Sequence, residues 1–226
     1  MPAARAQNSL RDVVEVLVLV VVIFLGIKLS FESRPIEGTS MEPGLHDKQY
    51  VLINKLDYLF GTPQRGDVLI FHFPLDTNQI FIKRIIGLPG DTIVVGPKTV
   101  TVNGVVLNEP YLSAADNCFV FAPNPCPPPK TTKLGVNEYW VMGDNRLVSE
   151  DSRIWGPLDK SFIIGKASAV WWPLSAFHGI DGHHDVFSKA GAARGMTQTG
   201  DPLALLCCLP LGAAALRGRR MQATGR

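Results

Sequence analysis

The strongest pattern in the chain is an uninterrupted apolar run at residues 13–29. The run is almost entirely Val, Leu and Ile, with Glu15 and Lys28 near its ends. As a helix rising 1.5 Å per residue it would reach about 25 Å, near the lower limit for crossing the hydrocarbon core of a bilayer. No small-residue cleavage site follows it, which disfavours a removable secretory signal, and soluble core helices are rarely so uniformly apolar. We therefore predict a membrane anchor at residues 13–30, after a short segment at 1–12.

From residue 36 onward the pattern changes to short apolar runs separated by Gly, Pro, Asn and Asp. An Asn103-Gly104 pair favours the positive φ angles of a two-residue turn, so residues 99–107 are predicted to form a β-hairpin. No long helix is expected after the anchor. The pattern predicts a mainly β fold, an antiparallel domain of two packed sheets or a partly open barrel. The other predicted strands lie at residues 50–55, 67–73, 79–86, 91–95, 138–142 and 163–172.

The predicted β domain covers residues 31–182 and is interrupted near its middle. Residues 110–133 are rich in proline and contain Cys118 and Cys126. Such a stretch leaves the regular sheets, so we predict a small inserted β subdomain at about residues 96–137. We expect a disulfide between the two cysteines if the domain lies outside the cytoplasm, and free thiols are the alternative. The spacing is not that of a metal site, because no second Cys or His pair accompanies it.

The end of the chain differs in composition from the β domain. Residues 183–226 are rich in Gly and Ala and include an apolar run at 202–216. The run is interrupted by Pro210 and is short for a transmembrane helix. A disordered, low-complexity tail is the first interpretation, and an interfacial or second membrane contact is the other.

Length and charge limit the classes of function. The chain has 226 residues, enough for one sizeable domain, and a net charge of +2. No basic cluster precedes the C-terminal tail, so nothing indicates nucleic-acid binding. Arg5 and Arg11 precede the anchor, while Lys28 and Arg34 lie at its end and beyond it. This balance gives a slight preference for a cytoplasmic N-terminus under the positive-inside rule.

Residues 81–91 place a lysine inside a segment that otherwise has the pattern of a buried strand. In an extended chain Phe81, Lys83 and Ile85 share one face, so the ammonium group would lie between two large apolar side chains. Burial lowers the pKa of a lysine, and a lysine with a lowered pKa can serve as a general base. An edge-strand lysine that reaches solvent or pairs with a carboxylate is the alternative.

A serine upstream of this lysine is a candidate nucleophile. Residues 38–45 read Gly-Thr-Ser-Met-Glu-Pro-Gly-Leu, a turn-forming sequence that can expose the Ser40 hydroxyl and nearby backbone N–H groups. Histidine is the usual base for a serine, yet none of the 5 histidines lies in a recognisable triad motif. The Gly-x-Ser-x-Gly, His-Glu-x-x-His and Ser-x-x-Lys motifs are also absent. Ser40 with Lys83 is the most economical catalytic pair.

Three segments together resemble the motifs of type I signal peptidases, which are membrane serine peptidases with a Ser/Lys dyad. Residues 40–43 resemble the nucleophile motif, residues 83–91 the lysine motif, and residues 143–153 the third motif. They occur in the family's order, behind an N-terminal membrane segment. The resemblance extends from about residue 13 to about residue 173.

The resemblance implies roles for individual residues. Ser40 would be the nucleophile and Lys83 the general base. Ser149 would hydrogen-bond the lysine, and Asp151 with Arg153 would form an ion pair that supports the site.

The oxyanion donors and the substrate pocket follow less directly from the resemblance. The Ser40 N–H is the obvious first oxyanion donor. Gly38 stands where some family members carry a serine that assists the oxyanion, so the second donor is open, with the Gly38 backbone as a candidate. Four apolar residues beside the catalytic pair could wall shallow pockets for small side chains, with core packing as the alternative. They are Ile36, Met41, Leu45 and Ile82.

The function implied by the resemblance is a membrane-bound endopeptidase that removes signal peptides from exported preproteins, cleaving after Ala-x-Ala-type sequences through an acyl-enzyme. It would use no metal or organic cofactor. The chain would cross the cell membrane once, with its N-terminus cytoplasmic and its catalytic domain on the outer face. The alternative is a membrane-anchored β domain that binds exported chains or lipid without cleaving them. That alternative predicts that Ser40 and Lys83 lie more than about 6 Å apart.

Overall fold

A long N-terminal helix precedes the β-rich part of the chain in this computed structural model, which describes residues 3–113, 118 and 128–198. Helix α1 spans Ala3–Ser30, and its part Arg11–Ser30 is long and apolar enough to cross a membrane. The apolar side chains of this part are exposed and are not packed against the rest of the described chain. The sequence pattern and the helix therefore agree on a candidate membrane span.

Strands predominate in the described chain after α1. The shorter helices are α2 (Leu56–Phe60), α3 (Ser152–Trp155) and α4 (His184–Gln198), with two turns of 3₁₀ helix at Lys160–Phe162 and Leu174–Ala176. The strands within the described ranges are β1 Phe31–Pro35, β2 Tyr50–Asn54, β3 Val68–Phe73, β4 Asp76–Gly87, β5 Thr92–Val95, β6 Val100–Val102, β7 Val105–Val106, β8 Lys130–Lys133, β9 Glu138–Met142, β10 Leu158–Asp159, β11 Ile163–Trp172 and β12 His178–Gly179.

The strands form two antiparallel sheets. In the described part of the chain the larger sheet has 8 strands in the order β1-β2-β11-β3-β4-β9-β10, with β12 paired to β11. The smaller sheet has 4 strands in the order β7-β6-β5-β8. The prediction of a mainly β fold, with an N-terminal apolar helix and two antiparallel sheets, is confirmed.

Strand β4 connects the centre of the large sheet to the site. It pairs with β3 along its first part, where Lys83 lies opposite Leu69, and with β9 near its end, where Ile85 lies opposite Val141. Within the described residues, the stretch 76–83 is paired with β3 alone, so its other edge is open. The strand changes from exposed at its start to fully buried at its end. This change places Lys83 where the strand enters the core.

Three buried clusters among the described residues hold the sheets and the segments around them, and two of these clusters bear on the site. One cluster lies around β2, β3 and β11 and includes Met41 and Leu45 from the turn before β2. The other joins residues of the small sheet, β9 and helix α4, among them Phe187 and Ala190 of α4. Burial of apolar surface contributes about 25 cal/mol per Å², so these clusters are the main source of tertiary stability. The first cluster lies directly below the segment that carries Ser40.

Several elements were not predicted from the sequence, among them strands β1, β8, β10 and β12 and the short helices α2 and α3. Strand β1 was not predicted, because its short, mostly polar sequence has no apolar run. The expectation of no long helix after the anchor is wrong, since α4 spans His184–Gln198 within the segment expected to be a disordered tail. Its sequence is rich in Gly and Ala, but Phe187 and Ala190 lie on one face and are buried. Tertiary packing of that face stabilises the helix. The weak apolar periodicity of the sequence did not reveal the face.

The small sheet overlaps the residues that were predicted to form an inserted subdomain. Its first strand begins at Thr92, slightly before the predicted start. The hairpin turn lies where the Asn-Gly pair predicts it, with φ of 52° at Asn103 and 82° at Gly104. Cys118 is disulfide-bonded. The predicted partner Cys126 and the apolar run 202–216 lie outside the described residues.

Candidate active site

The structure brings Ser40 and Lys83 into direct contact. Lys83 Nζ lies 2.8 Å from Ser40 Oγ, within hydrogen-bond distance. Lys83 comes from the central strand β4, and Ser40 from the turn that connects β1 to β2. The separation is far below the distance expected if the domain only bound exported chains. A hydroxyl and an amine at this distance can exchange a proton directly.

The turn that carries Ser40 is fixed from below. Its backbone is closed by hydrogen bonds from Glu42 N to Thr39 O at 3.2 Å and from Leu45 N to Met41 O at 3.0 Å. Met41 is 1% exposed and Leu45 is 3% exposed, and both lie in the buried cluster beneath the turn. These two residues, expected in the substrate pocket, are core residues that anchor the turn. The same packing leaves Ser40 at the surface of the turn.

The surroundings of Lys83 favour its neutral form. The side chain is buried, with Nζ 2.9 Å from the Ile82 carbonyl oxygen and 5.2 Å from the centre of the Phe81 ring. Burial lowers the pKa of Lys83 to about 8, against the opposing effect of carboxylates led by Asp151. No carboxylate among the described residues is within ion-pair distance of Nζ. Desolvation therefore outweighs the more distant negative charges.

The segment 143–153 supports the back of the site. Asn145 N donates a hydrogen bond to Ser40 O at 3.0 Å. Asp151 Oδ2 accepts one from Gly143 N at 3.0 Å, and the Arg153 guanidinium holds the same carboxylate with two contacts of 2.8 Å. Burial opposes ionisation of Asp151, but Arg153 and the Gly143 N–H keep its pKa below the usual value. The predicted pair Asp151–Arg153 thus fixes the segment that contacts the Ser40 backbone.

Ser149 differs from its expected role. It is fully buried, and the hydrogen bonds of Lys83 Nζ go to Ser40 Oγ and the Ile82 carbonyl oxygen, so the expected bond to Ser149 is not formed. The Ser149 hydroxyl acts on Asp151, where it helps to lower the pKa of the carboxyl group. Its side chain also packs against Gly143. A Cβ at Gly143 would overlap both Ser149 Oγ and Ser40 O. A glycine is needed at this position because the two backbone segments approach so closely.

The oxyanion donors are only partly as expected. Gly38 N–H donates to Asp47 Oδ1 at 2.8 Å, so this amide is already engaged within the turn. The Ser40 N–H makes no hydrogen bond to any residue that the structure describes. Ser40 N–H is therefore a backbone donor that the turn leaves available for a substrate oxygen.

A groove of about 570 Å³ runs past the catalytic pair. Of the predicted pocket residues, Ile36 and Ile82 line it, and Gly38 also lies on its wall. Sequence reasoning missed six further apolar lining residues, which are Pro35, Val51, Ile70, Ile80, Phe81 and Val148. Ile80 could have been found, because it is two residues before Ile82 on the same strand face. The others needed knowledge of the tertiary structure.

On the opposite side of β4, Arg84 forms an ion pair that the sequence did not indicate. Its guanidinium contacts Asp144 with two bonds of 2.9 and 2.8 Å. Both side chains are buried. The described residues contain no group of three His, Cys, Asp or Glu side chains arranged to hold a metal ion.

Comparison with known proteins relates the chain to signal peptidases. The sequence model of the family described as "Signal peptidase, peptidase S26" matches residues 10–172. Signal peptidase IB of Staphylococcus aureus (strain Mu50 / ATCC 700699) is 34% identical over 180 residues, covering 76% of this chain and 93% of that protein. Signal peptidase I of Leptolyngbya laminosa is 34% identical over 186 residues, covering 77% and 87%. The crystal structure of a signal peptidase I from Enterococcus faecalis V583 is 33% identical with a TM-score of 0.40, covering 47% of this chain and 97% of that one.

Proposed function

The chain belongs to the signal peptidase family, peptidase S26, and from this premise we propose that Ser40 and Lys83 form the catalytic dyad with which it cleaves preproteins. As a member of this family it is a membrane-associated serine endopeptidase that removes signal peptides. We also propose which sequences the enzyme cleaves and how it is oriented in the membrane.

The contact between Lys83 Nζ and Ser40 Oγ, at 2.8 Å, is the observation that carries the proposal. A serine hydroxyl becomes a strong nucleophile only when a base takes its proton. In the neutral amine state, Nζ has a lone pair and can accept that proton. A pKa of Lys83 lowered to about 8 makes this state accessible near neutral pH.

The reaction would proceed in two steps. Ser40 Oγ attacks the scissile carbonyl as its proton passes to Lys83, and the resulting tetrahedral intermediate collapses to an acyl-enzyme as Lys83 protonates the leaving amine. A water molecule, deprotonated by the same amine, then attacks the ester and releases Ser40. The Ser40 N–H stabilises the oxyanion in both steps.

The substrate would bind as an extended strand along the groove. The open edge of β4 at residues 76–83 offers unpaired backbone groups beside Ser40, and an extended peptide can pair with such an edge. Ile36, Ile80 and Ile82 line the groove with bulky apolar side chains. Shallow apolar walls favour small residues near the cleaved bond, in agreement with cleavage after Ala-x-Ala.

The membrane arrangement is inferred from helix α1. We propose that residues 13–30 form the anchor and that residues 31–182 form the catalytic domain on the outer face, with a cytoplasmic N-terminus. Arg5 and Arg11 precede the apolar run while Lys28 and Arg34 lie at its end and beyond it, a balance that slightly favours this orientation. Because α1 continues directly into β1, the catalytic domain would lie close to the membrane surface. Its partners would be the exported preproteins and the bilayer itself.

Cleavage of a preprotein by the full chain in detergent, followed by mass spectrometry of the product termini, tests the proposal. Wild type should give a single cut after a small residue. Ser40→Ala should give no product, because it removes the nucleophilic hydroxyl. It should leave folding unaffected, because only one oxygen is lost from an exposed turn. Ser161→Ala is the matched control, since Ser161 lies in an exposed 3₁₀ turn, and it should cleave normally. Near-normal cleavage by Ser40→Ala would rule out Ser40 as the nucleophile.

A further inference from the structure

The segment of residues 178–191, here called the C-terminal segment, lies beyond the part of the chain that the family model matches, which ends at residue 172. It nevertheless packs into the protein. Phe187 is 3% exposed and Ala190 is 0% exposed, and both belong to the buried cluster that contains Met142 of β9. The segment is therefore attached to the end of the strand that leads into the back of the active site.

The C-terminal segment makes a direct hydrogen bond to Arg84, the neighbour of Lys83. Arg84 Nη1 donates to the Asp181 carbonyl oxygen at 2.8 Å and to the Gly66 carbonyl oxygen at 2.8 Å. The other guanidinium nitrogens bond to the two carboxylate oxygens of Asp144. Arg84 is buried, so each of these partners replaces a water molecule that the guanidinium would otherwise bind.

Aromatic stacking provides a second contact between the C-terminal segment and Arg84. The His183 ring stacks on the Tyr111 ring with centres 4.5 Å apart and planes 2° from parallel. The Arg84 guanidinium lies 4.9 Å from the centre of the same Tyr111 ring. Tyr111 therefore connects the C-terminal segment to Arg84. The contact between the Arg84 cation and the aromatic ring is favourable.

Close backbone packing fixes where the C-terminal segment begins. A ring nitrogen of His184 lies 2.9 Å from the Arg65 carbonyl oxygen. Gly66 has φ of +91°, and a Cβ there would overlap the Gly182 carbonyl oxygen. The segment thus lies directly against the chain just before β3, at the carbonyl that also binds Arg84.

Asp144 completes the connection to the nucleophile. Its carboxylate is held by Arg84, and the next residue, Asn145, donates its N–H to Ser40 O at 3.0 Å. Gly143, on the other side of Asp144, packs against the same Ser40 carbonyl. A shift of Arg84 would therefore move the short backbone segment that supports Ser40.

We propose that the C-terminal segment is a positioning element of the active site: through Asp181 and His183 it holds Arg84, and through the Arg84–Asp144 pair it fixes the backbone that supports Ser40. This inference rests on the proposed function, because it assigns the segment a part in placing the nucleophile. The segment touches none of the reacting atoms. Its effect is on the geometry of the Ser40 turn relative to Lys83.

Two variants of the full chain test this inference. His183→Asn removes the stacked ring and keeps a residue suited to the left-handed φ of 48° at this position. Phe187→Ala removes the buried anchor of α4. Each should lower kcat about ten- to hundredfold, the range for a slightly misplaced catalytic group, and leave KM nearly unchanged. Hydrogen exchange at the Asn145 amide should become faster in both variants.

Two controls separate positioning from general stability. Lys189→Ala changes an exposed residue of the same helix and should behave as wild type. Val100→Ala removes apolar volume from the same buried cluster, but from strand β6, which is not part of the C-terminal segment. It should lower the melting temperature and leave kcat and Asn145 exchange unchanged. If kcat fell with melting temperature in Val100→Ala to the same extent as in Phe187→Ala, general loss of stability would explain both results. That outcome would overturn the inference.

Hydrogen exchange also keeps this inference distinct from the proposed function. If wild type fails to cleave any preprotein, the proposed function fails, and exchange at Asn145 alone then decides whether the segment fixes this backbone. If wild type cleaves but His183→Asn and Phe187→Ala match it in both kcat and exchange, the C-terminal segment has no positioning role. Faster exchange together with reduced kcat supports it.

Discussion

The two sides of strand β4 provide different partners for a buried cation. Lys83 and Arg84 are adjacent, and they are 4% and 3% exposed. Lys83 lies beside the groove, where Nζ contacts the Ser40 hydroxyl and the Ile82 carbonyl. Arg84 lies on the other side, where its guanidinium meets the Asp144 carboxylate. One cation has neutral partners and the other has a charged one.

This difference decides the protonation of each group. Burial lowers the pKa of Lys83 to about 8, because the nearby carboxylates are too distant to compensate. Burial also acts against the charged form of Arg84, but the hydrogen bonds and charge of Asp144 raise the pKa of Arg84 above its usual value. A buried cation therefore becomes a base or a permanent ion-pair partner according to whether a carboxylate touches it. The same strand thus provides both a reactive group and a structural one.

The largest expected effect comes from replacing Lys83, on the groove side of β4, with arginine, the residue type found on the other side. Lys83→Arg keeps the charge but cannot provide a neutral base, since a guanidinium does not deprotonate at accessible pH. We expect cleavage to fall by about three orders of magnitude or more, within the range for removal of a positioned base. Lys166→Arg is the matched control, because Lys166 forms a partly exposed ion pair with Asp67 and should tolerate arginine. A Lys83→Arg variant with near wild-type rate would mean that Lys83 is structural.

The next largest effect should come from breaking the ion pair on the other side. Asp144→Asn leaves the buried Arg84 without its counter-charge, and loss of one partner from a buried pair costs about 3–5 kcal/mol. Denaturant unfolding of the β domain measures this free energy. Glu32→Gln, which weakens the partly exposed pairs of Glu32 with Arg34 and Lys55, should cost about 1 kcal/mol. Equal costs for the two variants would show that burial does not strengthen the Asp144 pair.

A smaller effect is expected from pH. Because only the neutral form of Lys83 can accept the Ser40 proton, kcat/KM should rise with pH and level off above an apparent pKa of about 8. At pH 7 about a tenth of the amine would be neutral, so the rate should be about tenfold below the plateau. Initial rates at low preprotein concentration in a series of buffers measure this profile. A rate that stays constant from pH 6 to 9 would exclude titration of the base in this range.

Much of the fold could be predicted because it depends on local patterns. The uniform apolar run at residues 13–29 predicted a helix that can cross a membrane, and the alternating runs predicted most strands of both sheets. The Asn103-Gly104 pair predicted its hairpin turn, since it readily adopts positive φ angles. Strand β1 and helix α4 were missed because little in their own sequences favours their structure. Their stability comes from β2, which pairs with β1, and from the cluster that buries Phe187.

For the candidate site, the sequence by itself determined which groups have the required chemistry. The sequence places a lysine between apolar neighbours and a serine in a turn-forming segment. The order of the three motifs indicated that these two residues act together. Only the tertiary structure decided their 2.8 Å contact, because forty-three residues and two strands separate them in the chain. It also decided that Met41 and Leu45 are core residues, that Gly38 N–H is taken by Asp47, and that Ser149 does not bond the lysine. The physical reason is that a hydrogen bond or a buried contact depends on distances of a few ångströms between segments, and sequence patterns report only the environment that each segment requires.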